Sequence, residues 1–307
     1  MDRWLVSYRC GDASRYHRGA VVRLHINGDD LGNIPIGRLQ YAHVQDWIDR
    51  KAASYSPNYV RELVNPLRMA LATAVKRNII AANPCDGIEL PRVSRSTWSV
   101  LTEEEARRLI TGTAADRYHA LWVLAVTLGI RRGELLALRW SDIDLDRRTI
   151  TIQRTITRDA SGHWIVGHMP KTESSRRTIR IPERCLTALR HHRTRQLERR
   201  LAAGGAWLDT GAVFDRGLGE HWENGTSLWR EFIATLDRLG LPRIRQHDLR
   251  HTAASHMLCA GIPVSTVSKI LGHANPSITY RLYAHVIDEM HEEAVDRIDM
   301  MYEATGS

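Results

Sequence analysis

The chain has 307 residues, 43% apolar and 25% charged, an ordinary globular composition long enough for two domains, which excludes a disordered or collagen-like chain. Lys and Arg outnumber Asp and Glu by 43 to 35, but the surplus is uneven: 286–307 holds seven acidic residues and one basic, Arg297, a net −6, which leaves +14 on 1–285. A basic body of this kind is the electrostatic footprint of a phosphate-backbone binder, although solubility alone is a competing reason for it.

No apolar run exceeds Ala120–Val126, far short of a bilayer span, and the first residues are too polar for a signal peptide. No membrane partner is expected, and the location implied is the cytoplasm. Cys10, Cys85, Cys185 and Cys259 are widely separated with no Cys-x-x-Cys pair, so they read as reduced structural thiols, with no disulfide framework and no zinc site. Only four of the 43 basic residues are lysines (Lys51, Lys76, Lys171, Lys269), a skew most simply explained by codon bias. Against that background a lysine in a chemically suggestive place stands out.

In chain order, the first ninety residues read as helical. Helices are expected over Ser14–Ile26 and Ala42–Ala52, with a turn-rich stretch from Asn27 to Gly37 between them. Ser56 and Pro57 form a helix start, and Tyr59, Leu63, Leu67, Ala70, Leu71, Ala74 and Val75 then fall on one stripe, ending near Asn78 and kinked at Pro66. Pro84, Gly87 and Pro91 punctuate the chain, and the segment to Val100 reads as a linker. Thr102 and Glu105 make a capping box, followed by an apolar helix from Tyr118 to Leu128. The period then alternates, predicting three strands over Thr149–Thr157, His163–Val166 and Thr178–Ile181 in one small antiparallel sheet. Helices return from Pro182 through Leu197, over Leu228–Leu239, His247–Cys259, Val264–Leu271 and Ser277–His285. In the last segment Ile287, Met290, Ala294, Ile298 and Met301 form an amphipathic stripe on an acidic helix, fitted either to its own domain or to a partner. The fold class is thus mainly α with a small antiparallel sheet, α+β.

Four separated patches hold the candidate chemistry. Gly129-Ile130-Arg131-Arg132-Gly133-Glu134 is either a capped helix start with exposed arginines or a turn that presents Arg131 to phosphate oxygens, with Glu134 as its orienting carboxylate. Lys171, between the second and third strands, is either a solvated turn residue or a mobile general acid. His247 and Arg250 stand three apart on one helix face, a weak signal alone. His273 follows Leu271-Gly272, where a histidine is commonly a cap, and Tyr283 comes ten residues later, where an aromatic is commonly core. His191 and His192 are adjacent and would diverge on a helix rather than chelate a metal.

The order Arg, Lys, His-x-x-Arg, His, Tyr and its flanking text closely resemble the catalytic domain of the tyrosine recombinases, the family of phage integrases and Xer-type recombinases. The text runs from Thr127 to Asp144, then His247-Asp248-Leu249-Arg250-His251-Thr252, Leu271-Gly272-His273 and Tyr283-Ala284-His285-Val286. The likeness is strong over 102–286 and looser over 1–90, which is similar to the family's helical core-binding domain. It implies a core-binding domain over 1–92, a linker over 93–101, a catalytic domain over 102–286 and a docking tail over 287–307. The family's arm-binding domain is not visible ahead of these helices.

The resemblance implies a site-specific recombinase, an integrase, in which Tyr283 attacks a scissile DNA phosphate to give a 3′-phosphotyrosyl link and a free 5′-hydroxyl. Arg131 and Arg250 would flank the phosphate, His247 would act as acid or base, His273 would donate a hydrogen bond to it, and Lys171 would protonate the departing oxygen. Bond energy is kept in the intermediate, so no cofactor, ATP or metal is expected. Tyr280, one turn before Tyr283, is the rival nucleophile. The implied partners are double-stranded DNA, a homo-tetramer joined through the acidic tail, and an accessory DNA-bending or directionality factor. Competing readings are an Xer-like chromosome or plasmid resolution recombinase, a type IB topoisomerase, and a non-catalytic sequence-specific DNA-binding protein.

Overall fold

The computed structural model of the chain describes residues 1–93, 99–168, 176–222 and 226–284. These divide into two compact units: 1–93 with 158–163, and the remaining described residues.

The first unit is helical. After α1 (Asp2–Ser7), α2 (Asp12–Val21) passes directly into one π-helical turn over Val22–Asn27, in place of the single helix expected over Ser14–Ile26. Helix α3 (Tyr41–Ala52) and α4 (Pro57–Lys76) complete the core around Trp47, Ile48, Val60, Leu63 and Leu67. The Ser56 hydroxyl accepts from the Tyr59 N–H at the head of α4, as the Ser-Pro start predicts. Pro66 does not divide α4: the helix runs through it, with Leu63, Val64, Leu67 and Leu71 on both sides of Pro66 in the same core. A proline inside a helix costs about 3 kcal/mol, and the burial of several large apolar side chains offsets that.

In the second unit Thr102 and Glu105 cap α5 (Glu103–Gly112) reciprocally, the Thr102 N–H donating to Oε2 at 2.8 Å and the Glu105 N–H to Oγ1 at 3.2 Å. Helix α6 (His119–Leu128) is apolar on every face because it is the central helix, packed between α8 (Glu183–Ala203) and α10 (Asp248–Cys259). It ends at Gly129, whose φ of +62° permits the reversal into the short α7 (Arg132–Leu136).

The strand region differs from the sequence expectation. In place of three strands in one sheet, five strands form two sheets. Strands β1 (Ile143–Asp144), β2 (Thr149–Ile152) and β5 (Arg177–Arg180) make one, while β3 (Arg154–Arg158) and β4 (Trp164–His168) make the other. Alternation continues through Gln153, so the pattern alone does not reveal the break. What separates the strands is burial: Ile150 and Ile152 face the core, whereas no residue of β3 is fully buried. Gln153 and Arg154 both turn their side chains to Asp142. β2 and β5 pair antiparallel, setting Ile152 opposite Arg177.

Helix α9 (Thr226–Arg238) contributes Leu228, Phe232 and Leu236 to the core, and α11 (Val264–Leu271) and α12 (Pro276–Leu282) complete the described chain. Cys85 and Cys185 are buried, and burial pushes both thiols up to about 12, the inert behaviour expected of structural cysteines. Cys259, at the end of α10, is exposed and departs from that reading.

Away from the candidate site, the buried Asp215 carboxylate gathers Arg117, Arg199 and Gln196, with bonds of 2.8–3.0 Å. These link the start of α6 and the middle of α8 to the loop beyond α8. Replacing Asp215 with Ala leaves these donors without their acceptor, and is expected to cost about 3 kcal/mol in denaturant unfolding. A loss within a few tenths of a kcal/mol would show that the cluster is not a structural tie.

Candidate active site

The site is built where several helix ends meet β5. Glu134, in α7, is 2% exposed and is the centre of the arrangement. Arg177, at the start of β5, grips it through both oxygens, Nη1 to Oε1 at 3.1 Å and Nη2 to Oε2 at 2.7 Å. Arg131 adds Nη1 to Oε1 at 2.9 Å and its own N–H to Oε2 at 3.1 Å. Burial works to raise the Glu134 pKa, but the Arg177 hydrogen bonds and the charges of Arg177 and Arg131 outweigh it and hold the carboxyl below its ordinary range. Glu134 therefore orients both arginines.

Three arginines also rest on helix C-terminal carbonyls, the negative ends of helix dipoles. Arg250, in the first turn of α10, donates Nη1 to the Gly129 carbonyl at the end of α6, at 2.8 Å. Arg131 donates Nη2 to the Gly272 carbonyl at 3.1 Å, and Arg177 donates Nε to the Ile270 carbonyl at 2.9 Å, both at the end of α11. Gly129 and Gly272 take positive φ, +62° and +69°, and so turn these carbonyls away from their helices. A Cβ on Gly129 would stand 2.6 Å from Leu271 Cδ2 and 3.3 Å from Ala253 Cβ, so a larger residue there would be strained by its positive φ and would push on these neighbours.

Arg250 is 4% exposed, and burial, then the charge of Arg131, pushes its pKa down to about 9, still charged at neutral pH. Its Nη2 is buried without a hydrogen-bond acceptor among the described residues. A buried cation with an unused donor is costly unless an anion completes it.

The histidines lie beside these cations. His247 is the N-cap of α10, so it and Arg250 sit at the helix head rather than along its side. Burial and the charge of Arg250 lower its pKa. His273 shares a hydrogen bond with the Thr279 hydroxyl, Nδ1 to Oγ1 at 2.7 Å, and burial, then Arg250 and Arg131, push its pKa down to about 4. Tyr283 follows the last residue of α12 and is 1% exposed among Ala253, Ala254, Leu258, Val267 and Leu271. Burial pushes its hydroxyl up to about 12, against the charge of Arg250. That hydroxyl lies 2.8 Å from Nδ1 of His251. Tyr280 is 53% exposed, pointing away from this cluster.

The structure thus brings together Arg131, Glu134, His247, Arg250, His273 and Tyr283. Lys171, the remaining candidate, and the tail over 287–307 lie outside the described residues. Two residues that the sequence reading did not assign belong to the site. Arg177 is one of many arginines in an alternating strand, and nothing in its spacing sets it apart. His251 was legible as the neighbour of Arg250, but only the fold turns its ring to Tyr283.

A buried set of guanidiniums and uncharged imidazoles around one tyrosine is an arrangement suited to receiving an anion. Residues 99–290 match the model of the Phage integrase family. A "Tyrosine recombinase XerC-like" protein of Caldanaerobacter subterraneus subsp. tengcongensis is 31% identical, over 91% of this chain and 76% of that protein. An integrase of Saccharopolyspora erythraea is 25% identical, over 81% of this chain and 68% of its own. Among solved structures, the Tn1549 transposon integrase in complex with a circular intermediate DNA superposes with a TM-score of 0.78 at 19% identity, covering 97% of each chain. The chain belongs to the phage integrase family, the tyrosine recombinases, and is a site-specific DNA recombinase.

Because the Glu134 carboxyl is held below its ordinary pKa by its arginines, its share of stability is present at neutral pH and is lost as pH falls through the carboxylate range. Lowering the pH from about 6 to about 3 is expected to destabilise the wild type more than Glu134→Gln, measured by unfolding at each pH. Equal losses would show that this carboxylate is not coupled to folding.

Proposed function

We propose that the chain integrates and excises a phage or other mobile element by cutting and rejoining duplex DNA through a 3′-phosphotyrosyl intermediate, with Tyr283 as nucleophile. The observation that carries this reading is Arg250: a buried, charged guanidinium whose Nη2 lacks an acceptor among the described residues, beside Arg131 and near Tyr283. A phosphodiester supplies the missing anion, and a planar guanidinium fits its oxygens.

In this mechanism the Tyr283 oxygen bonds to phosphorus as the bond to the 5′-oxygen breaks. Arg131 and Arg250 stabilise the charge gathering on the non-bridging oxygens, an effect worth a few kcal/mol per placed donor. His273 donates a hydrogen bond to the phosphate, and His247 acts there as acid or base. Lys171 gives the departing 5′-oxygen its proton. Glu134 positions Arg131 without touching the substrate. No cofactor is required, since the phosphotyrosyl bond preserves the energy for rejoining.

The basic body supports duplex binding through phosphate contacts. The acidic, amphipathic tail supports docking on a neighbouring protomer in a tetramer, with an accessory bending or directionality factor joining on the DNA. Similarity to a XerC-like recombinase supports a second reading, resolution of repeated sites on a chromosome or plasmid. Recombination between sites on two different molecules distinguishes integration from it.

With a nicked suicide substrate bearing the attachment core, wild type is expected to give a covalent adduct on a denaturing gel, Tyr283→Phe none, and Tyr280→Phe a normal one. An adduct from Tyr283→Phe that disappears in Tyr280→Phe would move the nucleophile. Deletion of 287–307 is expected to leave DNA binding intact and abolish synapsis in a native gel. Normal synapsis by the truncated chain would remove the tail-exchange arrangement.

A further inference from the structure

We infer that His251 is a further catalytic residue, the general base that takes the proton from the Tyr283 hydroxyl as the tyrosine attacks phosphorus. The inference rests on Tyr283 being the nucleophile and assigns its proton to His251, leaving to His247 the acid or base role at the phosphate.

The geometry is direct. His251 Nδ1 lies 2.8 Å from the Tyr283 oxygen, inside the range required of a proton acceptor, and their ring centroids are 5.8 Å apart. Of the site's three histidines, His247, His251 and His273, it alone has a hydrogen bond to that oxygen among those resolved between described residues. His273 Nδ1 bonds the Thr279 hydroxyl instead. His247 meets His251 edge to face, with centroids 5.2 Å apart.

The direction of the proton follows from the surroundings. His251 is 6% exposed; burial, then His247, pushes its pKa down to about 4 against the pull of Asp248, and the charges of Arg250 and Arg245 act in the same sense. His273, from the end of α11, also faces this group of charges. At neutral pH the ring is therefore uncharged and able to accept, while the Tyr283 hydroxyl, raised to about 12, keeps its proton until attack. In the step itself the Tyr283 O–H bond breaks, its proton passes to His251 Nδ1, the oxygen lone pair forms the bond to phosphorus, and the 5′-oxygen leaves with a proton from the general acid. Negative charge moving from tyrosine to phosphate stabilises the new imidazolium. When the 5′-hydroxyl later attacks, the same proton returns to the tyrosine oxygen. His247 is thereby left to the phosphate side of the site.

The test is the pH dependence of single-turnover cleavage on the suicide substrate. His251→Asn is chosen because its amide oxygen replaces Nδ1 as a hydrogen-bond acceptor but does not take up a proton at neutral pH. Wild type is expected to cleave at a nearly constant rate from about pH 6 to 8, since its base is already neutral there. His251→Asn is expected to bind the same DNA, to cleave on the order of a hundredfold more slowly, and to speed up about tenfold per pH unit as hydroxide replaces the lost base. A wild-type rate with a flat profile in His251→Asn would overturn the inference while leaving Tyr283→Phe to judge the nucleophile. The same slope appearing in His247→Gln instead would assign the base to His247. Should His251→Asn fail to bind DNA, nitrogen NMR of histidine-labelled wild type decides: an unprotonated Nδ1 on His251 supports the inference, and a protonated Nδ1 at neutral pH overturns it.

Discussion

The site depends on one buried carboxylate. Glu134 ties α7 to β5 through Arg177 and orders the turn through Arg131, and these two arginines in turn reach the carbonyls at the end of α11. Elements separated by more than a hundred residues are thus held on a single negative charge. Arg177 and Glu134 are both nearly inaccessible, with side-chain exposures of 8% and 1%, so removing Glu134 would leave Arg177 a buried cation without its carboxylate, while removing Arg177 would leave Glu134 paired with Arg131 alone. The tie also gives the β-strand a place in a mainly helical unit: β5 delivers Arg177 to Glu134 in α7, and β2 holds β5 in register.

Around that carboxylate the charges do not balance. Arg131 and Arg177 pair with Glu134 while Arg250 feels only its charge, and the fold offsets the surplus with carbonyl groups at the ends of α6 and α11 rather than with more acids. A second carboxylate would have neutralised the receptor. Carbonyl dipoles hold the guanidiniums in place yet leave their charge available to an incoming anion. Burial first, with the same positive field acting in the same sense, keeps the neighbouring histidines neutral, His251 and His273 both down to about 4, and so fits them to accept protons or donate neutral hydrogen bonds. Cation placement and histidine protonation are consequences of one arrangement.

Most of this was readable before any coordinates. The helix starts at Ser56 and Thr102, the glycine reversal at 129 and the Arg131–Glu134 pair follow from short-range rules, because cap, turn and i,i+3 geometry are set within a few residues. What the sequence hid was set by long-range packing. Pro66 looked like an interruption because its cost is local, while the core burial that carries α4 through it is not. The division of β2 from β3 was invisible because alternation is identical on both sides of Gln153. Arg177 was one arginine among 39, and its meaning comes only from the antiparallel pairing that sets it against Ile152, facing α7. His251 stood inside a recognisable stretch of text, yet a helix head presents successive side chains in different directions, and only the packing of α12 on α11 shows which histidine meets the tyrosine.

In the proposed mechanism the burial of Tyr283 serves its reactivity. A tyrosine hydroxyl in an apolar pocket is raised well above its ordinary pKa, which by itself makes it a poorer source of tyrosinate. In the proposed mechanism full ionisation is then a poor route to attack, because an anion formed in that pocket would draw on the charge of Arg250, and that pairing would quench the cation that the proposed phosphate site needs. Transfer of the proton to an adjacent neutral imidazole during bond formation avoids both problems: the pocket never holds a free tyrosinate, Arg250 keeps its charge for the phosphate, and the imidazolium appears only as negative charge builds beside it. A high tyrosine pKa and a low histidine pKa, each unfavourable for a freely ionising nucleophile, together confine the proton transfer to the moment when a phosphate is bound.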